Sequence, residues 1–226
     1  GKGCATLNQT GLAQKFGAVV SHVRVASAQD DIKAVRIPAG GADLLIACDL
    51  VVSTGYEAMG KVAHGRTHAV INDNEQPTAA FVQDPDAYFP AEGMKQRVTA
   101  QVGEQLEFVH ASDIALQLTG DAISTNLFLL GYAWQRGWVP VGEAALERAI
   151  ELNSVAVEFN KKAFLLGRRF ANQPELVESL LPQKSPRTET NLTLDQVVED
   201  RLQRLVAYQS VGYAESYLHQ IEKVRS

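Results

Sequence analysis

Two places in the sequence combine polar or charged side chains with a loop or a helix end, and these are where the chain could bind a ligand. Lys15 lies in a polar, glycine-flanked loop that runs from residue 9 to residue 17. Asn126 ends the run Ser124-Thr125-Asn126, the polar N-terminal end of an otherwise apolar predicted helix. The residues alone therefore indicate a domain that binds a ligand at Lys15 and Asn126, with the identity of the ligand left open.

A third candidate lies on the strand predicted for residues 18–25. Alternation along a strand places His22 and Arg24 on the same face of it. One interpretation of this pair is a half-exposed sheet face, and the other is a face turned toward a ligand. The sequence leaves both open.

The chain is predicted to lack an active site of its own. It contains no glycine-rich phosphate loop, no serine nucleophile elbow and no His, Cys and Asp cluster with metal-ligand spacing. Cys4 and Cys48 are isolated, and we interpret them as reduced thiols of a cytoplasmic protein. Two thiols cannot hold an iron–sulfur cluster, which normally takes four cysteine ligands. We therefore expect neither catalytic nor metal-binding residues here.

The composition argues against nucleic acid and membrane as binding partners. The 226 residues are 46% hydrophobic, which is enough for a proper core, and the net charge of −5 argues against a nucleic-acid surface. No run of about twenty apolar residues is present, so we expect no membrane-spanning segment. The chain opens with Gly1-Lys2-Gly3 and has no initiator Met, and we expect it to be a fragment of a longer protein.

The elements that must position the candidate residues alternate between strands and helices. The alternation predicts a three-layer, Rossmann-like α/β domain with a mostly parallel sheet, in which ligands bind at the carboxyl ends of the strands. The predicted strands are 3–8, 18–25, 42–48, 67–72, 77–81 and 106–109, and the predicted helices begin near Pro90, at Asp113, after Asp121, near Glu143 and at Val155.

The helix after Asp121 organises the rest of the domain. Asp121 is a suitable N-cap, and Gly137 can end the helix in the left-handed conformation. Apolar residues that include Ile123 cover nearly all of its circumference, so we expect it to be buried. Thr54 and Glu57 have the spacing of a capping box for an earlier helix.

Composition changes after the α/β region. Residues 171–192, rich in Pro, Ser, Thr, Gln and Glu, are predicted to be a linker. Residues 193–226 are predicted to form two closing helices, the first with a capping box at Thr193 and Gln196. Because such a tail is too small to build its own core, we expect its tyrosines to pack against a neighbour. These are Tyr208, Tyr213 and Tyr217.

Three stretches carry a resemblance to a known family. LNQTGLAQKFGAVVSHVRVA, GADLLIACDLVV and TGDAISTNLFLLGYAWQRGWVP together resemble the gamma domain of 2-oxoacid:ferredoxin oxidoreductases, in particular the fused indolepyruvate ferredoxin oxidoreductases. The resemblance covers residues 1–170, without that domain's first strand and glycine-rich turn. Residues 193–226 resemble the start of the helical domain that follows in the fused type. A sheet lacking its first strand exposes an edge, so we expect self-association into a homo-oligomer.

The resemblance implies a function for the parent protein. It implies oxidative decarboxylation of an arylpyruvate to an acyl-CoA, with electrons passing to ferredoxin. Thiamine diphosphate, Mg²⁺ and 4Fe-4S clusters would be held by other domains of the same parent chain, and the isolated fragment would be inactive. This domain would contribute to coenzyme A binding and to assembly, with Lys15 meeting a diphosphate as a point charge. The coenzyme A contacts that the resemblance implies are Gln14, Lys15, Gly17, Ser21, His22, Thr125 and Asn126.

Two other interpretations stay open. The first is a dinucleotide-binding domain of a dehydrogenase, in which Asp49 would contact a ribose after a glycine-rich turn. The second is an interaction module that binds no small ligand.

Overall fold

The computed structural model describes residues 1–9, 19–74, 90–181 and 193–225. The chain divides into two compact units, Gly1–Pro182 and Gln183–Ser226. The boundary between them falls inside the segment predicted to be a linker.

The first unit is built around a parallel sheet, as the sequence predicts. Strands β3 (Leu44–Ala47), β4 (His68–Asn72) and β5 (Leu106–Val109) lie side by side in that order. Both pairings are parallel, with Leu44 opposite His68 and Ala69 opposite Leu106 at their starts. Most of their residues are apolar, as expected for strands of a parallel sheet that is covered on both faces.

Helices cover both faces of this sheet, which confirms the predicted α/β architecture. Val70 of β4 faces one core, and its neighbours Ala69 and Ile71 face the other. The helices are α1 (Leu50–Ser53), α2 (Tyr56–Met59), α3 (Ala91–Val102), α4 (Ala111–Thr119), α5 (Thr125–Gln135), α6 (Glu143–Asn153), α7 (Val157–Asn172) and α8 (Pro174–Ser179). Side chains of α4, α5 and α7 form the core on the Val70 face, and side chains of α1 and α3 form the core on the other.

The two N-terminal strands form a separate antiparallel sheet. Strands β1 (Gly3–Gln9) and β2 (Val20–Ala26) pair with Gly3 opposite Ala26 and Gln9 opposite Val20. Residues 10–18, which join them, lie outside the described part of the chain, as does the short strand predicted at 77–81.

Helix α5 begins later than predicted. Asp121 does act as a cap, because its Oδ1 accepts the N–H of Ile123 at 2.9 Å, but residues Ala122–Ser124 form a 3₁₀ turn ahead of the α-helix. This turn leaves Ile123 70% exposed, so the prediction that it is buried is wrong. Gly137 follows the helix with a φ of 78°, as predicted.

The predicted capping box at Thr54 and Glu57 is also wrong. Asp49 caps α1, its Oδ1 accepting the N–H of Val52 at 2.8 Å. Glu57 instead pairs with the guanidinium of Arg36 at 3.0 Å. The sequence spacing suited a cap, but Gly55 occupies the N-cap position of α2.

Helices also fill the first part of the predicted linker. Helix α7 continues to Asn172, and α8 follows it with Val177 fully buried, so residues 171–179 are part of the first unit. The rest of the predicted linker, from residue 182, lies outside the described residues.

The second unit contains helices α9 (Leu194–Tyr208) and α10 (Val211–Arg225). The capping box predicted at the start of α9 is confirmed. Thr193 donates its N–H to Gln196 Oε1 at 2.8 Å, and Gln196 returns its N–H to Thr193 Oγ1 at 3.3 Å. None of the helices in the described ranges combines the length and the apolar character that crossing a bilayer requires.

Candidate functional site

A group of polar side chains gathers at the carboxyl ends of the parallel strands. Asn72 ends β4, and Ser112 lies in the first turn of α4, three residues after the end of β5. Both are buried, at 1% and 5% exposure. Ligands of open parallel α/β sheets bind at this edge, so these residues define the candidate site.

Asn72 joins three elements through its side-chain amide. Its Nδ2 donates to the carbonyl of Cys48 at 2.9 Å and to Ser112 Oγ at 2.8 Å. Its Oδ1 accepts the N–H of Ser112 at 3.1 Å, satisfying one of the backbone donors that a helix N-terminus leaves free. The amide therefore fixes the end of β3 and the start of α4 relative to β4.

The hydroxyls of Ser112 and Thr125 continue this network to the start of α5. Thr125 Oγ1 donates to the carbonyl of Ala122 at 2.6 Å and lies 3.1 Å from Ser112 Oγ. Since a hydroxyl has one proton to donate, Ser112 is the donor to Thr125. Thr125 is buried and its hydroxyl is used within the protein, so it sets where the first turn of α5 lies.

Asn126, the next residue, is exposed at the N-terminal end of α5. Its Oδ1 accepts the N–H of Leu127 at 2.8 Å. This contact orients the amide and leaves the Nδ2 group available to donate to a ligand.

Ser21 and His22, the two predicted contacts on β2, lie in a different environment. Ser21 is exposed, whereas His22 is only 2% exposed. His22 Nδ1 accepts the N–H of Ile37 at 3.3 Å, and its buried Nε2 has no hydrogen-bond partner among the described residues. Burial, together with the positive charges of Lys61 and Arg36, lowers the pKa of His22, so the imidazole is neutral at pH 7.

The seven predicted contacts thus fall into three groups. Thr125 belongs to the network at the strand ends and Asn126 is the next residue in the chain, whereas Ser21 and His22 lie on β2 of the antiparallel sheet. Across the described ranges, no hydrogen bond or ion pair joins these two groups. The remaining three, Gln14, Lys15 and Gly17, lie outside the described residues.

Asn72 and Ser112 are not among the seven contacts predicted from the sequence. A signal for them existed, because each follows or ends a predicted strand and a polar residue there faces the ligand-binding edge of the sheet. What the sequence does not reveal is that residues 40 positions apart bond to each other.

Asp49, which the dehydrogenase interpretation would turn toward a ribose, is used as the N-cap of α1. Cys4, in β1, and Cys48, directly after β3, are both exposed free thiols. Within the ranges that the structure covers, no group of three or more His, Cys, Asp or Glu side chains could hold a metal ion.

A surface groove of about 690 Å³ lies elsewhere in the first unit. Its walls are mainly apolar and contain none of the seven predicted contacts. They are formed by Lys2, Gly3, Cys4, Val25, Val139, Pro140, Val141, Gly142 and Ala145.

Comparison with known proteins adds independent findings. The family model described as pyruvate ferredoxin/flavodoxin oxidoreductase matches residues 1–170. The chain is similar to the indolepyruvate oxidoreductase subunit IorB of Archaeoglobus fulgidus, with 30% identity over 173 residues that cover 74% of this chain and 80% of the relative. Among solved structures it is similar to the pyruvate oxidoreductase subunit PORC of Thermotoga maritima, with 18% identity, a TM-score of 0.47, and coverage of 74% of this chain and 79% of that one.

Proposed function

The chain belongs to the pyruvate ferredoxin/flavodoxin oxidoreductase family, and from this membership we propose that it is the coenzyme A-binding gamma component of an arylpyruvate:ferredoxin oxidoreductase. Membership in the family by itself makes the chain a component of a 2-oxoacid:ferredoxin oxidoreductase. The observation that carries the finer proposal is the 30% identity to a subunit named for indolepyruvate. An arylpyruvate is the proposed substrate class of the complete enzyme.

Asn126 is the described residue on which the proposed coenzyme A role depends most. Its exposed amide can donate to the phosphate and carbonyl oxygens of coenzyme A, and the contact with Leu127 keeps it oriented. Ser21 offers an exposed hydroxyl, and Lys15 would supply the positive charge that a diphosphate requires. Thr125 and His22 are buried, and we propose that they hold their exposed neighbours, Asn126 and Ser21, in position.

The redox cofactors of the family do not fit this chain. A 4Fe-4S cluster normally takes four cysteine ligands, and the sequence contains two, one in β1 and one directly after β3. We therefore propose that clusters, thiamine diphosphate and Mg²⁺ are held by other parts of the enzyme. In such enzymes the organic cofactor supplies the chemistry and the protein supplies binding and orientation, and this component serves the second role.

The test uses the complete oxidoreductase and follows reduction of a viologen dye. Indolepyruvate, phenylpyruvate, pyruvate and 2-oxoisovalerate are compared, each with and without coenzyme A. Asn126→Ala and Lys15→Ala are compared with Asn153→Ala and Lys33→Ala, which remove an exposed asparagine and an exposed lysine that are not among the seven predicted contacts. We expect the KM for coenzyme A to rise about tenfold in each site variant, the loss of one hydrogen bond to a charged group, and to stay constant in the controls.

The outcomes separate the parts of the proposal. Reduction that depends on arylpyruvates supports the substrate class, and reduction with pyruvate alone overturns it. An unchanged KM for coenzyme A in both site variants overturns the coenzyme A role and favours an interaction module. If no 2-oxoacid supports reduction, the proposed activity itself is wrong.

A further inference from the structure

A second cluster of charged side chains lies beside the candidate site, and nothing above assigns it a role. Asp73 directly follows β4 and His110 directly follows β5, so both lie at the ligand-binding edge of the sheet. Asp73 Oδ2 accepts from Lys95 Nζ at 2.9 Å, and Asp73 Oδ1 lies 2.6 Å from His110 Nδ1. Among the described residues Oδ1 is buried without an aligned hydrogen-bond donor, so the approach of His110 Nδ1 is a close contact whose angle is not that of a hydrogen bond.

The three side chains differ sharply in exposure. The carboxylate of Asp73 is 5% exposed, the ammonium-bearing side chain of Lys95 is 25% exposed and the imidazole of His110 is 73% exposed. A buried carboxylate needs a charged or hydrogen-bonding partner, and Lys95 already supplies one. The core gains little from a largely exposed imidazole, so the His110 contact serves chiefly to orient the ring.

The backbone around the cluster is fixed. Asp73 donates its N–H to the carbonyl of Val109 at 3.2 Å, and the carbonyl of His110 accepts the N–H of Ile114 at 3.1 Å. Lys95 Nζ lies 5.6 Å from the centre of the Phe108 ring, a cation–π contact that limits its movement. The two donors are therefore held by strand ends and a helix, which is how preorganised binding groups are supported.

We propose that His110 and Lys95, held by the buried carboxylate of Asp73, form a binding site for an oxyanion at the carboxyl edge of the sheet. Because Nδ1 lies beside the carboxylate, Nε2 is the imidazole nitrogen that can bond to a ligand. Lys95 adds a positive charge beside it. An oxyanion suits this arrangement because the ammonium of Lys95 and the exposed imidazole of His110 can each donate to it, while the carboxylate of Asp73 is buried.

The site is continuous with the candidate site described above. Asp73 is the neighbour of Asn72, and His110 lies two residues before Ser112. An oxyanion here could be a phosphate of a nucleotide-like ligand or the carboxylate of a small acid. Assigning the oxyanion to a phosphate of such a ligand rests on the proposed coenzyme A role. The binding of an oxyanion does not depend on that role.

The test records the imidazole signals of the protein by NMR while inorganic phosphate, pyrophosphate or acetate is added at constant pH and ionic strength. The protein has five histidines, and the exposed His64 and His219 serve as controls in the same spectrum. We expect the His110 signals to shift saturably and the control signals to stay in place. In Lys95→Gln, binding should be about tenfold weaker, as expected for the loss of a charged hydrogen bond.

Parallel shifts of His110, His64 and His219 would overturn the proposal, because they would indicate unspecific screening. Saturation by phosphate or pyrophosphate but not acetate supports a phosphate ligand, and saturation by acetate alone supports a carboxylate ligand. Asp73→Asn keeps the shape and removes the charge that orients the ring, and binding at His110 that is unchanged in this variant also overturns the proposal. Since these probes need no enzyme activity, the result is independent of the coenzyme A experiment.

Discussion

At the scale of single residues, the buried amide of Asn72 holds the candidate site together. Its three hydrogen bonds satisfy the Cys48 carbonyl, the Ser112 backbone N–H and the Ser112 hydroxyl. A side chain that only filled space would leave these groups without partners in the protein interior, where a missing hydrogen bond is costly. The exposed Asn126 owes its position to this network, because Ser112 bonds to Thr125 next to it.

We therefore expect Asn72→Ala to lower the free energy of unfolding by about 2–4 kcal/mol, since it leaves at least one buried group unsatisfied and creates a small cavity. Urea denaturation measures this change. The control is Asn74→Ala, two residues further along and only partly buried, for which we expect a change below about 0.5 kcal/mol. Equal stability of the two variants would show that water satisfies the groups that Asn72 now holds.

At the scale of elements, the contact between α5 and α7 sets the shape of the core on the Val70 face. A Cβ atom placed on Gly131 would lie 2.0 Å from the carbonyl oxygen of Phe164, and one on Gly167 would lie 1.8 Å from that of Phe128. Each glycine therefore lets the backbone of the other helix approach closely. The two helices cannot keep this spacing with any larger residue at either position.

Gly131→Ala and Gly167→Ala are each expected to lower the free energy of unfolding by at least about 2 kcal/mol, because the two backbones must move apart in a packed core. The matched control is Gly93→Ala in α3, where a Cβ meets nothing within 4 Å. There we expect a gain of about 0.5–1 kcal/mol, since alanine is the better helix former. Thermal and urea unfolding of the three variants measure the expected losses and the expected gain in the free energy of unfolding. Destabilisation by Gly93→Ala alone would contradict the argument.

The elements also show what the sequence can and cannot predict. Apolar runs and glycines located the strands and helices well, because burial and turn chemistry act locally. Helix starts were less certain, as the 3₁₀ turn before α5 and the cap at Asp49 show, since several polar residues near each start can cap it. At the candidate site, Thr125 and Asn126 lie in a polar run that the sequence shows directly, whereas the bonds from Asn72 to Ser112 depend on strand order, which no local pattern encodes.

At the scale of the whole molecule, the two compact units differ in how much apolar surface they bury. The first unit has two cores around its sheet. In the described part of the second unit, α9 and α10 bury Val198 and Ala214, while Tyr208 stays 80% exposed and Val224 86% exposed. A pair of helices with so small a core is marginally stable on its own, so the molecule is not expected to unfold as one cooperative unit.

Hydrogen exchange followed by mass spectrometry checks this expectation peptide by peptide. Amides of residues 194–225 should exchange through local opening, at least about a hundredfold faster than amides of β4, because the free energy of opening a two-helix unit is well below that of the sheet. Protection of residues 194–225 equal to that of β4 would contradict this expectation. It would mean that a neighbour covers the exposed tyrosines, as predicted from the small size of this unit. Repeating the measurement at a tenfold lower protein concentration then distinguishes the neighbours, because protection by a second copy of the chain decreases on dilution and protection within one chain does not.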